Sequence, residues 1–402
     1  MALLPVDEAL ERILEGVEPL AAEKIPLDAA AGRILAAPVE ARCTQPPFDA
    51  SAMDGYAVRA TDVAAVPAEL AVIGESAAGR RFSGTVGHGE AVRIFTGAPV
   101  PSGADTILIQ ENARLVAEGR RIEAVETVAE GCHIRRAGLD FFDGATVLDA
   151  GRLLDPPALS LAAAAGHPEL AVVGRPLVAI IATGDELVPP GTTPGPDQIV
   201  ASNSFGIAAL AGQDGADILN LGIVPDDRAM IADALSRALS ADADLIVTLG
   251  GVSVGAHDLV REVLTAQGME LAFWRIAMRP GKPLIFGRLQ GSRVLGLPGN
   301  PVSSLVCAHL FLRPLIAGLC GRSFAPDLRA AELAAPMKAN DERRDYVRAR
   351  VENGPRGLVA TPFTVQDSSM LTTLADANAL ILREPGARAS EAGEPCQVLM
   401  LR

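Results

Sequence analysis

Apolar positions along this chain follow two rhythms. From residue 177 onward, short runs rich in Val, Ile and Leu (177–182, 217–221, 245–249) alternate with stretches whose apolar residues recur at helical spacing (204–211, 228–239). Strand and helix in alternation predict parallel pairing with helices on both faces of one sheet. The run 245–249 has no polar alternation, which predicts a strand buried on both faces. It stops at Gly250-Gly251, and an amphipathic pattern begins at Asp258. That order is strand, glycine loop, helix. Before this region, 6–14 reads as a helix, 28–36 as a second helix with Asp28 as an acidic N-cap, and 158–165 as a small-residue helix. Between them, short segments such as 70–73, 91–94 and 106–110 are divided by Gly and Pro and predict a β-rich unit. Beyond Pro326, the runs 345–351, 358–361 and 397–401 predict a small β-barrel or sandwich.

These elements predict an α/β multidomain chain. Residues 1–44 and 140–176 form a discontinuous N-terminal or linker domain, with the β-rich domain 45–139 inserted into it. A doubly wound, mostly parallel αβ domain spans 177–323, and a C-terminal β-barrel spans 324–402. With 402 residues, 49% of them hydrophobic, and a mean hydropathy of +0.27, the chain has the material for several cores. Apolar stretches such as 177–182 are too short to span a bilayer and the N-terminus lacks a signal pattern, so a cytoplasmic protein is expected. Five cysteines, Cys43, Cys132, Cys307, Cys320 and Cys396, are scattered and read as reduced core thiols. A net charge of -14 argues against nucleic acid as a partner, and no membrane partner is expected.

Chemistry enters through the loops. In a doubly wound sheet the turns after parallel strands converge at one edge, so distant residues can share a crevice. The turns expected there carry Thr183, Gly184, Asp185 and Glu186; Asp226; Gly250, Gly251, Ser253, Gly255 and Asp258; Arg275, Arg279 and Lys282; and Pro298, Gly299, Asn300 and Pro301. Ser202 and Asn203, ahead of the 204–211 helix, are further binding candidates. Glycine turns and helix N-termini favour anions. Lys occurs only at Lys24, Lys282 and Lys338 in a chain otherwise using Arg, so Lys282 in Arg279-Pro280-Gly281-Lys282-Pro283 reads as a selected point charge; the bland alternative is a solvated turn lysine. Carboxylates beside a phosphate cradle suggest Mg²⁺, with Glu186, Asp226 and Asp258 as metal candidates. Equally, Asp226 and Asp227 suit the cap of the helix that follows, and Asp185 suits the ordering of its own turn. The loop is no Walker A motif and lacks G-x-G-x-x-G. Gly251-x-Ser253-x-Gly255 does match a nucleophile elbow, but a serine hydrolase using Ser253 would need a later His, and only His309 follows, inside the apolar run 304–312.

Several motifs recur in a telling order: Ser51-Ala52-Met53-Asp54-Gly55-Tyr56-Ala57-Val58, Thr96-Gly97-Ala98-Pro99, Thr183-Gly184-Asp185-Glu186-Leu187, Gly250-Gly251-Val252-Ser253-Val254-Gly255, Pro280-Gly281-Lys282-Pro283 and Leu297-Pro298-Gly299-Asn300-Pro301. Together they resemble the molybdopterin molybdenumtransferase family of the MoeA type, related to the E domain of gephyrin. The resemblance implies a homodimer of four-domain subunits that inserts molybdenum from molybdate into adenylyl-molybdopterin, releasing AMP in a magnesium-dependent step. It implies functional roles for Asp54, Thr96, Asp140, Glu186, Asp226 and Asp258; Lys282 is the catalytic cation on the residue reading above. It also implies that Asp54 and Thr96 face the αβ domain of the other subunit, and that an upstream molybdopterin adenylyltransferase is a possible partner. Arg275 and Arg279 stand where the family commonly has lysines, and Ala256-His257 depart from its pattern. A non-catalytic molybdopterin-binding scaffold is the alternative.

Overall fold

The computed structural model describes residues 3–251 and 259–402. Contacts divide the chain into two units, Lys24–Val172 and Met1–Glu23 with Val173–Arg402.

The unit Lys24–Val172 has a six-stranded sheet in which Gly55–Val58 lies between Thr106–Ile109 and Glu90–Ile94, followed by Ala68–Ser76, Arg121–Ala124 and Ala113–Val116. A separate apolar cluster joins residues from before and after this sheet in sequence, including Leu35, Val39, Phe141, Leu154, Ala158 and Val172. The helix Pro156–Ala164 forms as expected, with the Asp155 carboxylate accepting the Ala158 N–H at 3.0 Å. The helix expected over 28–36 does not form. Only a 3₁₀ turn, Leu27–Ala29, appears, and Gly32 adopts φ +74°. Leu35 and Ala36 instead donate their N–H groups to the carbonyls of Arg152 and Ala171 (3.0 Å each), so long-range pairing overrides local helix propensity.

In the other unit a second six-stranded sheet holds β1 (Leu177–Thr183), β2 (Asp217–Val224), β3 (Leu245–Leu249), β4 (Glu270–Arg275), β5 (Pro283–Leu289) and β6 (Ser292–Leu297), in the order β2-β1-β3-β6-β5-β4. The first three pairings are parallel and the last two antiparallel. The doubly wound expectation therefore holds, with an antiparallel edge. Its continuous apolar runs are explained by period-two burial. Val178, Ile180, Leu245 and Val247 pack on one face with the helices Asn203–Gln213 and Pro301–Cys307, while Ala179, Ile181 and Ile246 pack on the other with Arg228–Ser240 and Leu259–Ala266. The 19-residue helix Pro301–Leu319 is apolar enough by composition to cross a bilayer, contrary to the expectation that no stretch would reach that length. Since 72% of it is buried inside the protein, it serves as a core helix.

The C-terminal strands Arg344–Gly354, Gly357–Pro362, Leu328–Leu333, Pro395–Met400 and Ala379–Arg383 pair in sequence, and the last pairs again with the first, closing a five-stranded barrel. The short strand Met278–Arg279 pairs with its rim.

Candidate active site

Register is what assembles the site. Ala182 of β1 lies opposite Leu249 of β3, and Leu249 lies opposite Leu297 of β6. Thr183, Gly250 and Pro298 therefore leave the sheet at one level. On the other side of β1, Thr183 is opposite Val224, so Pro225-Asp226 emerges beside Gly184. Chain order reverses between β1 and β3, and such a switch point opens a crevice beyond the carboxyl ends of the strands. A cavity of about 570 Å³ occupies it, lined by Thr183, Gly184, Glu186, Ser202, Asn203, Asp226, Gly250, Gly251 and Pro298, Gly299, Asn300 and Pro301.

The glycines are demanded by close approach. A Cβ on Gly250, at φ +89°, would sit 2.6 Å from the Thr183 carbonyl, and one on Gly251, at φ +64°, would sit 2.9 Å from the Thr183 hydroxyl. Asn203 donates its side-chain amide to the Gly299 carbonyl at 2.7 Å, and Asn300 donates to Ser368 Oγ at 3.0 Å. The proline turn is thus tied to a helix start on one side and to the barrel on the other. The Thr183 hydroxyl is buried and has no hydrogen-bond partner among the described residues, which leaves it available to a bound group.

Two adjacent acids are sorted by the fold. Asp227 caps the helix Arg228–Ser240, accepting the N–H groups of Ala229 (2.9 Å) and Met230 (3.0 Å). Asp226 is thereby left to line the cavity. Its carboxyl is pushed above the ordinary range by partial desolvation, then by the charges of Asp185 and Glu186. Asp185 does not line the cavity; it accepts the Asp226 N–H at 3.0 Å. Among the described residues no three His, Cys, Asp or Glu side chains group to hold a metal unaided. Ser253, Gly255 and Asp258, with Ala256 and His257, lie outside the described residues. His309 stands in a π-helical segment, Ala308–Leu312, where burial lowers its pKa to about 4 and keeps it neutral.

The expected cations separate. Lys282 is half-buried and has no ion-pair partner among the described residues; its neighbour Pro283 lines the cavity. Arg279 is instead held by Asp345 (Nε to Oδ1, 2.5 Å) and Asp341 (3.2 Å), bracing the barrel. Arg275 lies over the Trp274 ring, 3.8 Å from its centroid. None of the three contributes to the lining. Sequence reasoning overlooked Ser369 and Leu371 of the C-terminal domain, which do. Their signal was slight: the small polar run Asp367-Ser368-Ser369, in which Asp367 accepts the Ser369 N–H at 2.8 Å.

In the unit Lys24–Val172, Asp54 and Thr96 meet although they are 42 positions apart. Asp54 Oδ1 accepts both the Thr96 N–H (2.7 Å) and its hydroxyl (2.8 Å), and these bonds, backbone first, hold the carboxyl below its usual range. Arg93, stacked on Tyr56 and Phe95, adds its charge. Asp140 is exposed, its N–H bonded to the Gln45 carbonyl at 3.0 Å.

Residues 4–166 match the family described as "MoeA N-terminal region (domain I and II)", residues 179–318 a "Probable molybdopterin binding domain", and residues 330–401 the "MoeA C-terminal region (domain IV)". The molybdopterin molybdenumtransferase of Haemophilus influenzae is 36% identical over 396 residues, covering 98% of this chain and 97% of its own. Molybdopterin molybdenumtransferase 2 of Mycobacterium tuberculosis is 38% identical over 370 residues, 89% of each chain. A crystal structure of the molybdopterin biosynthesis MoeA protein of Pyrococcus horikoshii superposes with a TM-score of 0.86 at 29% identity, covering 100% of both chains.

Proposed function

The chain belongs to the molybdopterin molybdenumtransferase family of the MoeA type, and on that premise we propose that it inserts molybdenum from molybdate into adenylyl-molybdopterin, with release of AMP. The observation that carries this reading is the cavity in which the turns after β1, β2, β3 and β6 meet, glycine-rich and of a size typical for small-molecule sites, about 300–1,000 Å³.

Each group has a part that its chemistry suits. The Gly250-Gly251 turn lets a bound group approach the backbone closely, the Gly250 N–H itself being held by the Leu297 carbonyl at 3.2 Å, and the helix start after Ser202 presents backbone N–H groups and a positive dipole end to oxyanions. The Thr183 hydroxyl offers a further hydrogen bond. Lys282, unneutralised by any described carboxylate, draws anions toward the site despite the chain's net charge of -14. Catalysis by this set rests on placement and electrostatics rather than on a covalent nucleophile.

Glu186 and Asp226 carry excess negative charge into a cavity meant for an anionic nucleotide. That donor set fits Mg²⁺, which keeps several waters and takes one or two carboxylates together with substrate phosphate oxygens. Glu186 and Asp226, with Asp258, would hold it; bound there, it would neutralise charge on the departing phosphate. The paired Asp54 and Thr96, and Asp140, are assigned to the same reaction, in a cytoplasmic homodimer whose site is completed across subunits. An upstream molybdopterin adenylyltransferase would supply the nucleotide.

The test is direct. Purified protein mixed with adenylyl-molybdopterin, Mg²⁺ and molybdate should release AMP only when molybdate is present. Folded protein that releases none under those conditions overturns the assignment.

A further inference from the structure

The cavity is not polar throughout. Ile199 and Val200 also line it, as the short strand Ile199–Val200, and they are 57% and 41% exposed. The central strands of this domain behave otherwise: all of Leu245–Leu249 are buried, as are Val178, Ile180 and Ile181, and comparable exposure is found at the sheet edge, at Leu271 (43%). Leaving two β-branched side chains open to water forgoes the favourable removal of apolar surface from solvent. The strand is nevertheless well anchored. It pairs in parallel with Leu187–Val188, the Ile199 N–H donates to the Glu186 carbonyl at 2.7 Å, and the Ala201 N–H donates to the Val188 carbonyl at 2.9 Å. The exposed pair is thus fixed between Glu186 and the helix start at Asn203, both of which line the same cavity. No aromatic side chain lines it among the described residues, so the apolar surface that a flat ring meets there is aliphatic.

We propose that Ile199 and Val200 form an aliphatic ledge for the planar nitrogen heterocycle of the substrate, while the glycine and proline turns take its phosphate. This rests on the reading of the cavity as a pterin-nucleotide site. Adenine and pterin share the required chemistry, being flat, fused and poorly hydrated on their faces. The ring that rests on the ledge lies on the Glu186 side of the cavity, since the Ile199 N–H bonds the Glu186 carbonyl.

The experiment uses the full chain and three probes, AMP, pterin-6-carboxylate and inorganic molybdate, with binding measured by calorimetry. Ile199→Ser/Val200→Ser should weaken one ring-bearing probe by roughly tenfold or more, and the probe affected identifies the ring. Molybdate binding should be unchanged. Val200→Thr, nearly isosteric, gives a second variant if the double variant fails to fold, and should weaken the same probe. Equal affinity of wild type and variants for both ring probes overturns the ledge, as does a parallel loss of molybdate binding. A variant that changes only the sedimentation behaviour, from dimer to monomer, also overturns it, since a second copy then covers these residues. Should AMP release in the full reaction persist while the ledge variants bind both rings normally, only the ledge fails. Should the wild type bind neither ring probe, the reading of the cavity fails with it.

Discussion

Asp226 and Asp227 are chemically identical neighbours with different duties, and exchanging them one at a time separates stability from activity. Asp227 accepts two N–H groups at the start of a 13-residue helix, at 2.9 and 3.0 Å. Asp227→Ala leaves both without that acceptor, although water can replace part of the loss at an exposed cap. The expected cost is about 1 kcal/mol, or a fall of about 2–4 °C in the melting of a cooperative unit of roughly 150–250 residues. Asp226 gives no such support. Its carboxyl is raised by desolvation and by Asp185 and Glu186, so its ionised form is disfavoured by the fold. A raised carboxyl destabilises the native state above its folded titration point, and the penalty fades as pH falls through that point. Asp226→Asn should therefore match or exceed wild-type stability at pH 7, with the difference closing in acid. Its molybdate-dependent AMP release should fall by about a hundredfold or more, whereas Asp227→Ala should keep its activity. Thermal melts at several pH values and the AMP assay read both quantities. A lower melting temperature for Asp226→Asn than for Asp227→Ala, or equal loss of activity in both, would refute this division.

Three other outcomes are expected. Arg279→Gln should lower stability by breaking the contacts to Asp345 and Asp341, with little effect on anion affinity, while Lys282→Gln should do the reverse; urea unfolding and calorimetric molybdate binding distinguish them. His309, shifted down from 6.5 to about 4 by burial and by Arg313, is bound by fewer protons folded than unfolded across that interval. Stability should consequently drop as pH falls from 6.5 toward 4, and His309→Leu should flatten that slope in urea midpoints. Gly250→Ala combines a left-handed backbone with a contact at 2.6 Å to the Thr183 carbonyl. We expect destabilisation of about 2 kcal/mol or more together with lost AMP binding; an unaffected protein would show that the turn is not tightly packed.

Much of the αβ domain was legible because each of its elements keeps one period. Residues 245–249 were expected as a doubly buried strand, and β3 has those bounds. The turns after β1, β2, β3 and β6 were legible as a group because the topology rule depends only on strand order. What escaped depended on long-range contacts. Residues 28–36 carry a helical composition, yet the pairings of Leu35 and Ala36 with a segment over a hundred positions away decide their structure. Arg279 and Lys282 share one motif, and only the parallel pairing of Met278–Arg279 with the barrel turns the first toward Asp345. Ser369 and Leu371 reach the cavity because Asn300 and the Val302 N–H bind Ser368, a contact between segments that no local pattern announces.

The central claim is that separate turns at one sheet edge grip one anionic nucleotide. A crystal structure of the protein soaked with AMP examines it most directly. We expect the phosphate against the Gly250-Gly251 turn, within the cavity bounded by Thr183 and Asn300. Well-ordered AMP elsewhere on the molecule, with this cavity filled only by solvent, would contradict it.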